Sequence, residues 1–159
     1  MHGGDHEHGG HDMSYMHLGV MIVLSFISMY VLMYAMVNAF GNVFNSLNQF
    51  YMAGLMTAPM VIIEMVVMRM MYPKKGLNTL IIVASAIALV LFWVGIRQQV
   101  GIGDEQFLRS MIPHHAGAIL MCNQAKITDP EIQDLCANIV TGQQQEIDWM
   151  KAKLDTLNK

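Results

Sequence analysis

The stretch Ser110–Cys122, SMIPHHAGAILMC, gathers soft and borderline metal donors: thioethers at Met111 and Met121, imidazoles at His114 and His115, and a thiol at Cys122. Thioether and thiolate sulfur select Cu(I), and imidazole suits copper too. Ag(I) follows by the same softness. Zinc would want a closed tetrahedral Cys/His set with recognisable spacing. The sequence has no Cys-x-x-Cys. The competing reading is a core helix that happens to contain histidine, because methionine is also a flexible filler of apolar interiors.

The helix periodicity bears on this choice. Phe107, Met111, His114, Ala118, Met121 and Ala125 fall on one helical stripe, with His115 and Cys122 on its edge. That stripe is expected to face inward. Pro113 removes one backbone hydrogen bond, so a bend beside the histidines is expected, with the carbonyl of Arg109 freed. Further on, Cys136, Ile139, Gln143, Glu146, Met150 and Leu154 share a second stripe. Gln143 and Glu146 stand there where a simple core would carry leucine. Buried polar groups are costly unless paired, and histidines across the seam would pair them. Glu146, with Gln143 beside it, is then expected to hold the second nitrogen of a ligating histidine, as outer-shell carboxylates do. Cys122 and Cys136 flank the turn between the stripes. A bridge, a pair of soft ligands and two buried thiols all remain open.

The elements that must position these residues are helices throughout. Asp104 is the expected N-cap of a helix that runs to about Lys126, with Glu105 in its first turn. Asp129 as N-cap with Pro130 at the first helical position starts the next, which runs to about Leu157. So short a turn makes an antiparallel hairpin. Upstream, Leu18–Phe40 is a run of 23 residues without a charge, long enough to span a bilayer. Tyr51–Tyr72 is a second span, with Glu64 and Arg69 inside it and Pro59 as an expected kink. Thr79–Ile96 is a third, at 18 residues. The expected fold class is all-α: three transmembrane helices over 18–96, then a hairpin domain over 97–159. Residues 1–17, rich in Gly and His, read as a tail disordered without metal.

Composition agrees. Hydrophobic residues make up 54% of the 159 and charged residues 13%, a balance that points to membrane segments. The net charge of −3 offers no basic surface for nucleic acid. Lys74 and Lys75, with Arg69 nearby, mark the second connection as cytoplasmic, whereas the first has no Lys or Arg. The amino terminus is then expected inside and the hairpin outside, which in a bacterium means inner membrane and periplasm.

Other soft donors recur. Met52, Met56, Met60, Glu64 and Met68 stand at steps of four, and the first span carries Met29, Met33 and Met36. Such ridges serve helix packing. An acid at membrane depth usually faces the bundle interior, so Met56, Met60 and Glu64 form a secondary metal candidate. His2, His6, His8, His11 and His17 form another, on composition alone.

MIPHHAGAILM, with Asp104 and Phe107 upstream and DPEI…Q..EI..M between Asp129 and Met150, resembles the bacterial CopM-like copper-binding family, a domain of unknown function with a ferritin-like bundle. The resemblance covers about residues 104–155. It implies copper binding, with silver beside it, in the periplasm, and a role in metal tolerance. It points to Met111, His114, His115, Met121, Gln143, Glu146 and Met150. Cys122 and Cys136 stand where the family is expected to carry small or apolar residues. The family bundle has four helices, and this chain supplies two after the membrane. Completion by a homodimer, or docking of the hairpin on the spans, is therefore expected.

The expected function is that of a membrane-anchored Cu(I)- and Ag(I)-binding protein, not an enzyme. It would sequester the ion or hand it to an exporter or metallochaperone. Two alternatives stand beside it. One is a ferritin-like redox enzyme oxidising Cu(I), although the helical Glu-x-x-His motifs of di-iron bundles are absent. The other is a structural or regulatory membrane subunit whose methionines merely pack.

Overall fold

The computed structural model describes residues 6–157, with side chains from residue 13 onward. Every regular element among them is helical: α1 (His6–Leu32), α2 (Leu47–Val67), α3 (Lys75–Arg97), α4 (Asp104–Gln124) and α5 (Pro130–Leu157). Short 3-10 turns lie at Met33–Met36, Phe40–Asn42 and Arg69–Met71. The chain forms two compact units. One comprises Met1–Val31 and Phe50–Val100, the other Leu32–Gln49 and Gly101–Lys159.

Among the described residues, three segments are long and apolar enough to cross a membrane: Met13–Met36, Leu47–Val67 and Lys75–Arg97. They point outward with apolar side chains, among them Val23, Leu24 and Ile27 on α1 and Leu80, Val90 and Leu91 on α3. So much exposed apolar surface is a liability in water and suits lipid. The expected tail is helical from His6 onward. Adding a turn to a helix already nucleated by its apolar stretch costs far less than starting one.

The spans meet through small residues. Ala53, Gly54, Thr57 and Ala58 form the buried face of α2, as expected where close backbone approach replaces the hydrophobic drive lost in lipid. The Phe92 ring of α3 occupies the space a Cβ on Gly54 would need. Gly54→Ala is therefore expected to displace that ring and cost ~1–3 kcal/mol by overpacking. Gly19, with nothing within 4 Å of its Cβ position, is the control. Thermal melts in detergent check this: a lowered midpoint for Gly54→Ala and none for Gly19→Ala.

Toward the other end of the bundle, Leu18, Val61, Met65 and Tyr72 form a small core. Polar groups tie its edge together. The Tyr15 hydroxyl donates to Asn78 Oδ1 at 2.7 Å, and Asn78 Nδ2 donates to the Tyr72 carbonyl at 2.7 Å. The Tyr72 hydroxyl donates to Glu64 Oε1 at 3.2 Å.

The second unit is built on the α4–α5 hairpin. Asp129 Oδ1 accepts from the backbone N–H groups of Glu131 and Ile132 at 2.9 and 3.1 Å, so it caps α5 as its position before Pro130 predicts. Asp129→Ala is expected to cost about 1 kcal/mol, read as a lower denaturation midpoint of the hairpin. Asp104, expected as a cap, sits inside the first turn of α4, with Gly103 at the capping position. Leu108, Ile112, Ala116 and Ile119 of α4 pack on Ile147, Met150 and Leu154 of α5.

The connection between the first two spans is not a plain turn. Val37 and Phe44 pack against the hairpin core. The backbone N–H of Leu47 donates to Gln106 Oε1 at 2.9 Å, and Asn48 Nδ2 donates to Ser110 Oγ at 3.2 Å. The Met36 carbonyl lies 3.5 Å from where a Cβ on Gly117 would stand. Residues 32–49 thus form a third layer over α4. The hairpin over 97–159 is expected to be covered by a second copy or by docking on the spans; within this unit, residues 32–49 supply part of the cover.

Candidate metal centre

The orientation of α4 decides which histidine is inside. The buried face carries Leu108, Ile112, His115, Ala116 and Ile119, not the stripe through Phe107, His114 and Met121. Phe107 is 50% exposed, Met121 is 54% exposed and His114 is also exposed. The expectation that His114 lies mid-stripe is therefore corrected by one residue, about 100° of helix rotation. Leu108, Ile112 and Ile119 account for the difference. Branched aliphatic side chains fill the seam, and the helix turns to bury them rather than Phe107 and Met121.

His115 is 7% exposed and both of its ring nitrogens are engaged. Nδ1 lies 2.9 Å from the Met111 carbonyl, one turn back along α4. Nε2 lies 2.6 Å from Glu146 Oε2 on α5. A carbonyl oxygen only accepts, so Nδ1 carries a proton and donates it. The Glu146 carboxylate also only accepts, so its bond to the ring forms when Nε2 is protonated. The pair bridges the hairpin at the rim of its core, with the Glu146 side chain 62% exposed to solvent.

This geometry revises the role expected of Glu146. The nitrogen it touches is Nε2, and the outer-shell partner of the ring is the Met111 carbonyl on Nδ1. A histidine fixed through Nδ1–H to a backbone carbonyl presents Nε2 as its metal-facing nitrogen. Binding an ion there would release the Nε2 proton and make Glu146 a co-ligand or move it aside. The thioethers nearby are Met150, buried in the same core, and Met111, partly buried against it. Gln143 is half-buried one turn before Glu146. The His114 ring stands 6.2 Å, centroid to centroid, from that of His115. Among the described residues, no three His, Cys, Asp or Glu side chains gather closely enough to hold an ion by themselves.

Cys122 and Cys136 form a disulfide with Cα atoms 5.3 Å apart. Of the three readings open for them, the structure holds the bridge. In that state Cys122 has no thiolate to give a metal, which corrects its place among the ligands. Met121 is beside it on the exposed side of α4.

Among the described residues, the secondary candidates do not converge. Met52 and Met56 lie on the exposed side of α2, Met68 is exposed just past its end, Met60 is half-buried, and Glu64 is bonded to Tyr72. His17 is exposed on α1. His2 lies outside the described residues, as do the side chains of His6, His8 and His11. The sequence reading missed the Met111 carbonyl. Its only signal was the helical spacing of four between Met111 and His115.

Residues 97–154 match the model of a domain of unknown function, DUF305. Over 141 residues the chain is 33% identical to uncharacterized protein L153 of Acanthamoeba polyphaga mimivirus, covering 86% of this chain and 90% of that protein. The chain belongs to the family of that protein. The shared length takes in the apolar spans and the hairpin together. The DUF305 segment coincides with α4 and most of α5, where a helical domain of unknown function was expected. Neither name carries a ligand. No solved structure matches the chain.

Proposed function

We propose that the chain is a membrane-anchored binding protein for Cu(I), and by the same softness Ag(I), which sequesters the ion or passes it to an exporter or metallochaperone. The reading rests on one observation above the others: His115 is buried in the hairpin with Nδ1–H fixed on the Met111 carbonyl and Nε2 turned toward Glu146. Met111 and Met150 in the adjoining core supply the soft donors that Cu(I) prefers. His114 and Met121, both exposed, would serve in capturing the ion at the surface. The lysine bias of the second connection supports a hairpin on the non-cytoplasmic side, the periplasm in a bacterium. Ile132, Leu135 and Trp149 remain exposed on α5. They support pairing of two hairpins into a ferritin-like four-helix bundle, which crosslinking in mild detergent tests directly.

The same geometry favours a second reading. Both nitrogens of His115 already have partners, as in a polar lock that merely holds α4 to α5. Titration of the purified full chain with Cu(I) against a competing chelator separates the two. Tight binding that disappears in a His114→Ala/His115→Ala variant supports the metal reading. Equal, weak uptake by both proteins leaves only the lock.

A further inference from the structure

The disulfide lies apart from His115 and Glu146, toward the turn of the hairpin. Its two sulfurs come from facing helices whose Cα atoms are 5.3 Å apart. Both cysteines are only half-buried, and both line a surface pocket of about 420 Å³ with Asn123, Gln133, Val140 and Thr141. A small reductant or a hydrated ion can therefore reach them. The hairpin does not depend on the bridge for its alignment, because the core of Ile112, Ile119, Ile147 and Met150 and the Asp129 cap hold it independently. Reduction would leave two thiols held side by side.

We propose that Cys122 and Cys136 form a redox-gated site for a soft monovalent cation, Cu(I) or Ag(I). In the oxidised form the pair is a staple. A dithiol of the disulfide-exchange class opens it: the Cys122–Cys136 bond breaks, two thiols form, and the donor dithiol becomes a disulfide. The two thiols then lose two protons and hold one ion between two thiolates. Charge and number of donors select the ion. Thiolates favour soft metals, while zinc asks for four ligands. Among the described residues no third His, Cys, Asp or Glu joins the pair. A two-donor sulfur site suits a monovalent d10 ion and starves a divalent one. This site goes beyond the His115 reading and shares none of its residues.

The test uses the full chain in detergent. It is prepared oxidised, or reduced with a phosphine, which takes up the oxygen of water as the disulfide gains two hydrogens. The phosphine is then removed under nitrogen. Free thiols are counted, and Ag(I) bound after desalting is measured by elemental analysis. The reduced chain is expected to show two thiols and to retain one more equivalent of Ag(I) than the oxidised chain. That extra equivalent should vanish in Cys122→Ser/Cys136→Ser and on alkylation of the reduced wild type. It should persist in His114→Ala/His115→Ala, which separates failure of this site from failure of the other. Equal Ag(I) in the two redox states overturns the proposal. So does an extra equivalent that survives alkylation, or a bridge that yields no thiols while far-ultraviolet circular dichroism still reports the native helices. Uptake of Zn(II) in place of Ag(I) by the reduced chain overturns the choice of ion.

Discussion

Ile147→Ala should destabilise the hairpin by ~2–5 kcal/mol, the range for truncating a buried aliphatic side chain that leaves a cavity. Ile147 and Ile112 face each other's helices with no exposed surface, at the centre of the α4–α5 seam. Ile112→Ala should cost a similar amount. Phe107→Ala and Met121→Ala should stay within ~0.5 kcal/mol, as surface substitutions do. Denaturant titration in detergent, followed by Trp149 fluorescence in a Trp93→Phe background, measures all four. The contrast tests the rotation of α4 itself. Were the helix turned as its methionines and histidines propose, Phe107 and Met121 would be the costly positions. A Phe107→Ala penalty as large as that of Ile147→Ala would sink the seam described here.

The second large effect concerns adjacent residues with opposite fates. His115→Ala should reduce Cu(I) affinity by more than the ~10–100-fold that loss of an outer-shell partner costs, because it removes the buried donor itself. His114→Ala should cost less than about tenfold, since its ring is exposed and lies outside the core. Chelator competition on each single variant checks the ranking. A His114→Ala loss equal to or larger than that of His115→Ala would overturn the assignment. An unchanged affinity in His115→Ala would leave the His115–Glu146 pair as a lock alone. Glu146→Gln adds a sharper reading. It keeps the shape but replaces the carboxylate beside Nε2 with a neutral amide, so a fall in Cu(I) affinity marks Glu146 as a co-ligand and a rise marks it as a competitor for Nε2.

The sequence was most legible where one physical signal dominated. Long apolar runs marked the three candidate spans, the first and third without a charge, because lipid permits no buried charge without cost. Asp129 followed by Pro130 marked the start of α5 to the residue, because capping and a preset backbone angle act locally. The pairing of a histidine with Glu146 across the hairpin was also legible, but the burial argument applied to the other partner: Glu146 stands at the exposed rim instead of on a buried stripe, and His115 is the buried polar group that needs a partner. Which histidine pairs was not legible. His114 and His115 differ by one position, and the choice rests on how Leu108, Ile112 and Ile119 fill the seam, a property of two helices together. The role of residues 32–49 was hidden for a similar reason. FGNVFNSLNQ has the composition of a turn, and nothing local reveals that Val37 and Phe44 pack on a core assembled more than fifty residues later, or that the Leu47 backbone bonds Gln106.

That layer has a consequence for the order of assembly. Residues 32–49 leave the ribosome well before α4 and α5, so the early segment must wait for the last third of the chain before its apolar side chains find their seat. The hairpin in turn meets its lid only if both segments belong to one molecule. Cutting the gene at the edge of the DUF305 match would yield a tidy sequence and an uncovered flank on α4. The matched domain over 97–154 and the unit that buries itself have different borders, and an expression fragment meant to fold must respect the second.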